Sequence, residues 1–250
     1  MNKEALIAIV SAIVATLGMF FFLDVKATDS PKQKKTLPSE SLDTYVQSVF
    51  SELPDSTKLK IQPLMPNGLK QMSAAQFKEL SGLWYKNGND LVAAFFAKKA
   101  ADLEPTEETL SLAGANFFTA AKKLEVGALR DQSFIESEAC FKKAFDLNPA
   151  KWENKMNLAL CYTENPLPTD PMKGILMLRE LDAAYPSNVP INLQLARLAI
   201  KTGQYERCID RLEKILPQNS SDVRIICLLS QAYEATNNPK AAEFAKKCKE

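Results

Sequence analysis

The stretch that decides the fold is residues 73–105, which read SAAQFKELSGLWYKNGNDLVAAFFAKKAADLEP. Apolar residues recur at helical spacing on both sides of Gly88, and this predicts two helices joined by a tight turn. Ser73 and Gln76 stand three residues apart at the start of the first helix and predict a capping box. The segment is therefore expected to fold as a helical hairpin.

Similar blocks follow one another to the end of the chain at a spacing of about 34 residues. One position of each first helix, which is aromatic in four of the five blocks, holds Trp84, Phe117, Tyr162, Ala199 and Tyr233. This pattern resembles the tetratricopeptide repeat (TPR) family, in its membrane-anchored bacterial form. The resemblance covers residues 73–250. It implies an all-α chain, with an N-terminal transmembrane helix followed by an α-α superhelix (solenoid) of about 4–5 TPR-like hairpins.

The blocks depart from the family pattern in their connections. Extra residues in the second block predict an enlarged loop between its helices, around Leu124 to Ile135. The third block lacks the usual glycine turn, and three prolines within residues 165–171 exclude a helix there. In the fourth block, Pro217 is expected to shorten the second helix. The fifth is expected to turn at residues 237–239.

The N-terminal segment predicts a membrane anchor. Leu6–Leu23 reads LIAIVSAIVATLGMFFFL, an uncharged run nearly as long as the roughly 20 residues that a spanning helix needs. We interpret residues 1–23 as a transmembrane anchor. A cleaved secretory signal is the alternative, because Val25–Ala27 forms a passable cleavage pattern. The sequence does not decide whether the helix is retained or cleaved.

Two segments separate this anchor from the repeats. Residues 24–37, DVKATDSPKQKKTL, predict a polar juxtamembrane linker. Residues 38–72 are expected to form a lead-in, with one amphipathic helix around residues 42–50 and a proline-interrupted loop over residues 54–70. Lysines are more numerous after the apolar run than before it. In a single-pass membrane protein, the positive-inside rule then favours a cytoplasmic soluble domain over a periplasmic or other extracytoplasmic one.

Composition excludes several classes of function. The net charge is +1, from 31 basic and 30 acidic residues, which disfavours nucleic acid as a partner. The chain has no histidine, the commonest general base and metal ligand. Its five cysteines include no C-x-x-C pair and are interpreted as small buried hydrophobes, unpaired as in a reducing compartment.

The search for catalytic motifs gives no candidate. The sequence contains neither a phosphate-binding glycine-rich loop nor a nucleophile elbow. We therefore expect no enzyme activity, no cofactor, no metal and no small-molecule substrate. A less favoured alternative is an enzyme or ligand-binding protein that uses the loop at residues 124–135 as its site.

The resemblance implies a protein-binding wall lined by the first helices, which suits an extended peptide or a helix. The chain is then a membrane-anchored scaffold or adaptor. A dedicated assembly factor for an envelope or respiratory complex is the alternative, because the layout is similar to anchored repeat proteins that assist cytochrome c maturation. The candidate wall residues are Lys78, Tyr85, Lys86, Phe118, Leu160, Thr163, Arg197, Ile200, Lys201 and Gln231.

Two limits apply to this wall. Leu160 and Ile200 in particular could pack between repeats instead of facing a partner. Gly82, Leu112 and Glu153 stand where members that clamp chaperone carboxylates carry polar or basic residues, so chaperone clamping is not expected. The sequence identifies neither the partner nor the oligomeric state.

Overall fold

The computed structural model describes residues 41–61, 63 and 71–249 of the 250-residue chain. The predicted membrane anchor and juxtamembrane linker lie outside these residues. Within the described ranges the chain forms twelve α-helices and no β-strand. In chain order they are α1 (Leu42–Ser51), α2 (Asp55–Ile61), α3 (Ala74–Lys86), α4 (Asp90–Leu103), α5 (Glu107–Lys123), α6 (Ala128–Leu147), α7 (Trp152–Glu164), α8 (Lys173–Ala184), α9 (Val189–Lys201), α10 (Tyr205–Ile215), α11 (Val223–Ala235) and α12 (Ala241–Lys247).

The last ten helices pair into five successive hairpins, which confirms the all-α repeat architecture. Hairpin 1 is α3 with α4, and hairpins 2 to 5 follow in the same way. A short 3-10 turn over Leu216–Gln218 ends α10, so Pro217 limits the second helix of hairpin 4 as expected. None of the helices in the described part of the chain is long and apolar enough to cross a membrane.

Local side-chain chemistry sets where the first hairpin begins. The backbone N–H of Gln76 donates to Ser73 Oγ at 3.3 Å, and the N–H of Ser73 donates to Gln76 Oε1 at 2.9 Å. This is the predicted capping box, and it satisfies two N–H groups that a helix start otherwise leaves without partners.

Hairpins 1, 4 and 5 close with the same kind of turn. In hairpin 4, Gly203 adopts φ of +71°, a left-handed conformation that most residues avoid. The backbone then bends so that the next N–H reaches a carbonyl of the first helix. These bonds join Asn89 to Trp84 at 3.1 Å, Gln204 to Ala199 at 2.8 Å and Asn238 to Tyr233 at 2.8 Å.

The predicted enlarged loop at residues 124–135 is wrong. Only residues 124–127 connect α5 to α6, and the extra residues lengthen these helices to 17 and 20 residues. Ser133 and Phe134 continue the helical spacing of buried positions, and the Ser133 hydroxyl donates to the carbonyl of Leu129 at 2.6 Å. The loop that was expected to form an enzyme or ligand-binding site is therefore not present.

The predicted loop over residues 54–70 is wrong in its first part, where α2 forms. Pro54 precedes this helix instead of interrupting it, since a proline at a helix start loses no intrahelical hydrogen bond. The N–H of Lys58 donates to the carbonyl of Pro54 at 3.0 Å. Ile61, at the end of α2, is buried in the same hydrophobic cluster as the first hairpin.

The lead-in helix α1 packs on the first hairpin, as part of one continuous core. The ring of Phe50 lies 5.5 Å from that of Trp84 and 6.0 Å from that of Phe96, measured between centroids. Val46 is buried in the same cluster. A hairpin at the end of a repeat array leaves one apolar side without a neighbour, and α1 covers it for hairpin 1.

Two of the five cysteines contradict their interpretation as unpaired. Cys227 on α11 and Cys248 after α12 form a disulfide, with their Cα atoms 4.9 Å apart. The hairpin folds back on itself and brings together two cysteines that lie far apart in sequence. The remaining Cys140, Cys161 and Cys208 are free and buried, as expected, and burial raises their thiol pKa to about 11, about 12 and about 11.

Candidate functional site

A groove of about 300 Å³ opens between α3 and α5, the first helices of hairpins 1 and 2. On each helix the lining residues follow the pattern i, i+3, i+4 and i+7, so that they share one face. They are Lys78, Ser81, Gly82 and Tyr85 from α3, with Leu112, Ala115, Asn116 and Thr119 from α5. The structure thus brings together two of the predicted wall residues, Lys78 and Tyr85. We call this opening the first-helix groove.

The floor of the first-helix groove is a buried chain of hydrogen bonds. Asn116 Nδ2 donates to Ser81 Oγ at 2.9 Å, and Ser81 Oγ donates to the carbonyl of Ala93 at 2.8 Å. These two bonds tie α5 to α3 and α3 to α4. They also fix the side-chain amide of Asn116, whose Oδ1 forms no hydrogen bond within the described residues. That oxygen can accept a hydrogen bond from the N–H group of a peptide backbone.

The mouth of the groove carries an aromatic ring and an ion pair. Tyr85 is 54% exposed. Lys78 Nζ lies 2.6 Å from Glu108 Oε1, and this contact lowers the pKa of the exposed Glu108 carboxyl. Lys86, the next predicted residue along α3, is also exposed. The mouth therefore offers an apolar surface and charged groups of both signs.

An ion-pair ladder continues along the first helices beyond the groove. Glu164 at the end of α7 lies 3.2 Å from the Nζ of Lys201 on α9 and 3.9 Å from the Nζ of Lys122 on α5. Lys201 was predicted to lie on the wall, and here it bridges to a neighbouring hairpin. The ladder joins hairpins 2, 3 and 4 along one side of the array.

Phe118 and Thr163 are both half-buried by neighbouring helices. The ring of Phe118 lies 6.3 Å from that of Phe134 on α6, in an edge-on arrangement. Thr163 lies against the start of α8, so close that a Cβ on Gly174 would come within 2.7 Å of the Thr163 backbone nitrogen. Both residues therefore contribute to packing between helices.

The last four predicted wall residues divide into two kinds. Leu160 and Ile200 are half-buried and pack against hydrophobic clusters within hairpins 3 to 5. Arg197 and Gln231 are exposed on α9 and α11. The exposed pair can reach a partner, while the half-buried pair contributes mainly to the core.

Asn116 is the most buried of the groove residues on α5, and the sequence interpretation did not include it among the wall residues. It stands directly before Phe117 in a mostly apolar part of α5 and is only 7% exposed. A polar side chain at such a position is retained when it forms hydrogen bonds, and that was the available signal. In the described part of the chain, no group of three or more histidine, cysteine, aspartate or glutamate residues is placed to hold a metal ion.

Comparisons with known proteins agree with this fold. A family model described as tetratricopeptide repeat matches residues 173–226, which span the second helix of hairpin 3, all of hairpin 4 and the start of hairpin 5. A search of curated proteins found no significant match.

Two solved structures illustrate the structural likeness. A thermophilic TPR protein from Thermus thermophilus is 14% identical, with a TM-score of 0.54, over 70% of this chain and 90% of that one. MamA from Desulfovibrio magneticus RS-1, from residue 41 to its end, is 16% identical, with a TM-score of 0.48, over 70% and 93%. The first of these shows that the hairpins form a TPR-type fold.

Proposed function

We propose that this chain is a non-catalytic adaptor that binds other proteins through the first helices of its hairpins. The observation that carries the proposal is the first-helix groove. There Tyr85, Lys78 and the amide of Asn116 surround an apolar strip formed by Leu112 and Ala115. Polar groups of this kind can bind a peptide backbone, while the apolar strip takes side chains. The ligand that fits best is an extended peptide or one face of a helix.

A photocrosslinking experiment in the native cells tests this proposal. A photoreactive aromatic amino acid replaces Tyr85 in the full chain. The matched control replaces Leu147, which is 57% exposed at the end of a second helix and equally open to solvent. We expect a discrete set of adducts from position 85 that is absent from position 147.

A variant that fills the groove tests whether the adducts at position 85 depend on the groove itself. Ala115 is exposed in the groove, and Ala115→Arg would fill the space with a bulky cation. This variant should remove the adducts formed at position 85 while leaving the fold intact, as circular dichroism would report. Identical adducts from positions 85 and 147, or adducts from position 85 that Ala115→Arg does not affect, would contradict the proposal.

We also propose that the array is tethered to a membrane by Leu6–Leu23. The support is the length and the uncharged, apolar character of this run. The full chain should remain in the membrane fraction after an alkaline carbonate wash, and deletion of residues 6–23 should release it. A mature chain that begins after Ala27 by mass spectrometry would instead show a cleaved signal.

The side of the membrane is a separate question on which two observations disagree. The lysines that follow the apolar run favour the cytoplasm. The Cys227–Cys248 disulfide favours an oxidising compartment. We give more weight to the disulfide and propose the extracytoplasmic side, because a large domain after a short N-terminal tail is translocated largely regardless of charge. Protease added to cells stripped of any cell wall or outer membrane should digest the array. Protection until the cytoplasmic membrane is also opened would place the array in the cytoplasm.

A further inference from the structure

A second and larger opening, of about 600 Å³, lies between α8, α9 and α10. Leu195, Leu198 and Ala199 of α9 line it. Arg197, the exposed wall residue of the same helix, is two positions from Ala199 and so points about 200° away around the helix axis. The opening therefore lies on the side of α9 that faces away from the first-helix wall. We call it the α9 groove.

A missing aromatic side chain accounts for the α9 groove. The turn hydrogen bonds place Ala199 at the position that Trp84 occupies in hairpin 1 and Tyr233 in hairpin 5. Those two aromatic residues are 5% and 0% exposed, so in their hairpins the ring fills the core. Ala199 has no ring to supply, and the space between α8 and α10 is left open.

The charged group at the far end of this space is basic, whereas the equivalent group in hairpin 5 is acidic. There the Tyr233 hydroxyl donates to Glu213 Oε1 at 2.6 Å, on the helix that precedes its own hairpin. The residue at the same sequence distance before Ala199 is Arg179 on α8, and it lines the groove. A guanidinium group donates hydrogen bonds and cannot accept one, so its partner on a ligand must be an acceptor. A carboxylate is a stronger partner than a phenol oxygen, because it carries the opposite charge and can accept two parallel N–H bonds.

The remaining charges of the α9 groove also favour an acidic ligand. Arg211 Nη1 donates to Asp182 Oδ1 at 2.7 Å and to Asn192 Oδ1 at 2.9 Å, so the Asp182 carboxylate is already paired. Of the other charged lining residues three are basic and one is acidic. These are Arg179, Arg207 and Lys214 on one hand and Asp210 on the other.

We propose that the α9 groove is a second docking site, separate from the first-helix groove, for an acidic peptide segment that carries an aromatic residue. The aromatic ring enters the space above Ala199, where the other hairpins hold their own ring. Carboxylates that flank it pair with Arg179 and Lys214 at the rim. The partner supplies the side chain that hairpin 4 lacks.

Selection from a displayed library of random 12-residue peptides tests the proposal. The full chain serves as bait, and the Ala199→Tyr variant, whose own ring would fill the groove, serves for counter-selection. Enriched peptides should combine an aromatic residue with neighbouring aspartate or glutamate. One of them, fluorescently labelled, should bind at least about tenfold more weakly to Ala199→Tyr and to Arg179→Glu than to the unmodified chain.

Two matched variants separate the local site from general effects. Arg197→Glu makes the same charge change on the opposite side of α9, and Tyr85→Ala alters the first-helix groove. Both should leave the affinity for the peptide unchanged. Because Arg179 is exposed, Arg179→Glu tests the site without disturbing the core, even if Ala199→Tyr folds poorly.

Three results would overturn the proposal. The first is equal enrichment on the chain and on Ala199→Tyr, and the second is enriched peptides without acidic or aromatic residues. The third is self-association of the unmodified chain in sedimentation that Ala199→Tyr abolishes, since the occupant would then be a second copy of the chain.

Discussion

Hairpins 4 and 5 close with the same turn but carry different residues at the first-helix position whose carbonyl accepts the turn hydrogen bond. In hairpin 5, Tyr233 is fully buried, and its ring lies 5.0 Å from that of Phe244 in an edge-on contact. In hairpin 4, Ala199 occupies this position beside an opening of about 600 Å³. Hairpin 4 forms with alanine at this position, so the fold does not require an aromatic residue there in every repeat. Where it is absent, a core position becomes part of a surface that a ligand can reach.

The largest expected loss of stability comes from creating the same opening in hairpin 5. Tyr233→Ala removes a fully buried ring and should lower the free energy of unfolding by roughly 3–5 kcal/mol. Urea denaturation followed by circular dichroism measures this, with the exposed Tyr85→Ala as control at under about 0.5 kcal/mol. A cost below about 1 kcal/mol would mean that the buried ring does not hold this hairpin together.

Hairpin 5 also has a covalent bond that hairpin 4 lacks. Removing the Cys227–Cys248 disulfide should cost about 3 kcal/mol, because the bond restricts a closed loop of the unfolded chain. A reductant should lower the melting temperature of the unmodified chain. It should have no further effect on the Cys227→Ala/Cys248→Ala variant. An unmodified chain that melts at the same temperature with and without reductant would show that the bond does not form in solution.

The reverse change tests whether hairpin 4 has room for a ring. Ala199→Tyr should raise the free energy of unfolding by about 1 kcal/mol, as cavity-filling substitutions commonly do. Arg197→Tyr places the same side chain on the exposed side of α9 and should give no gain. Destabilisation by Ala199→Tyr of more than about 1 kcal/mol, as overpacking produces, would show that α8 and α10 leave less room than the structure indicates.

The smallest expected change in stability comes from Glu213, which accepts the hydrogen bond of the Tyr233 hydroxyl. Hydrogen bonds from Lys240 and Tyr233 hold the pKa of Glu213 below its usual value of 4.5. A carboxyl with a lowered folded-state pKa stabilises the protein above the unfolded-state pKa, and this contribution is lost as pH falls through the folded-state value. Glu213→Gln should therefore cost about 0.5 kcal/mol at pH 7, and this cost should disappear as the pH falls below the folded-state pKa of Glu213.

Thermal melts at a series of pH values measure this dependence. Glu206→Gln, an exposed change on the same helix, should behave like the unmodified chain throughout. If the deficit of Glu213→Gln persisted unchanged in acid, the role of Glu213 would not depend on its ionisation.

The sequence predicted those parts of the fold that local chemistry determines. Ser73 and Gln76 marked a helix start, Gly88 marked a turn and Pro217 marked a helix end, and each acts within a few residues of itself. The prediction of an enlarged loop at residues 124–135 was wrong because it ignored this local information. Alignment to the repeat pattern treated the extra residues as an insertion, although Phe134 and its neighbours continue the helical spacing.

Contacts between distant residues were harder to predict. The pairing of Cys227 with Cys248 depends on how closely α12 folds back on α11, which spacing alone does not give. Asn116 lines the first-helix groove because α5 lies beside α3, and its partner Ser81 belongs to another hairpin. The absence of an aromatic residue at Ala199 was visible in the sequence, but the resulting opening depends on α8 and α10.

If the first-helix groove binds a protein, the affinity of the chain for the crosslinked partner should depend on the groove residue Asn116. Isothermal titration would compare the unmodified full chain with Asn116→Ala and with the exposed control Leu147→Ala. We predict a loss of at least about tenfold in affinity for Asn116→Ala, in a chain that remains folded, and no loss for Leu147→Ala. Equal affinity of all three chains would contradict the claim and would place the binding surface elsewhere on the array.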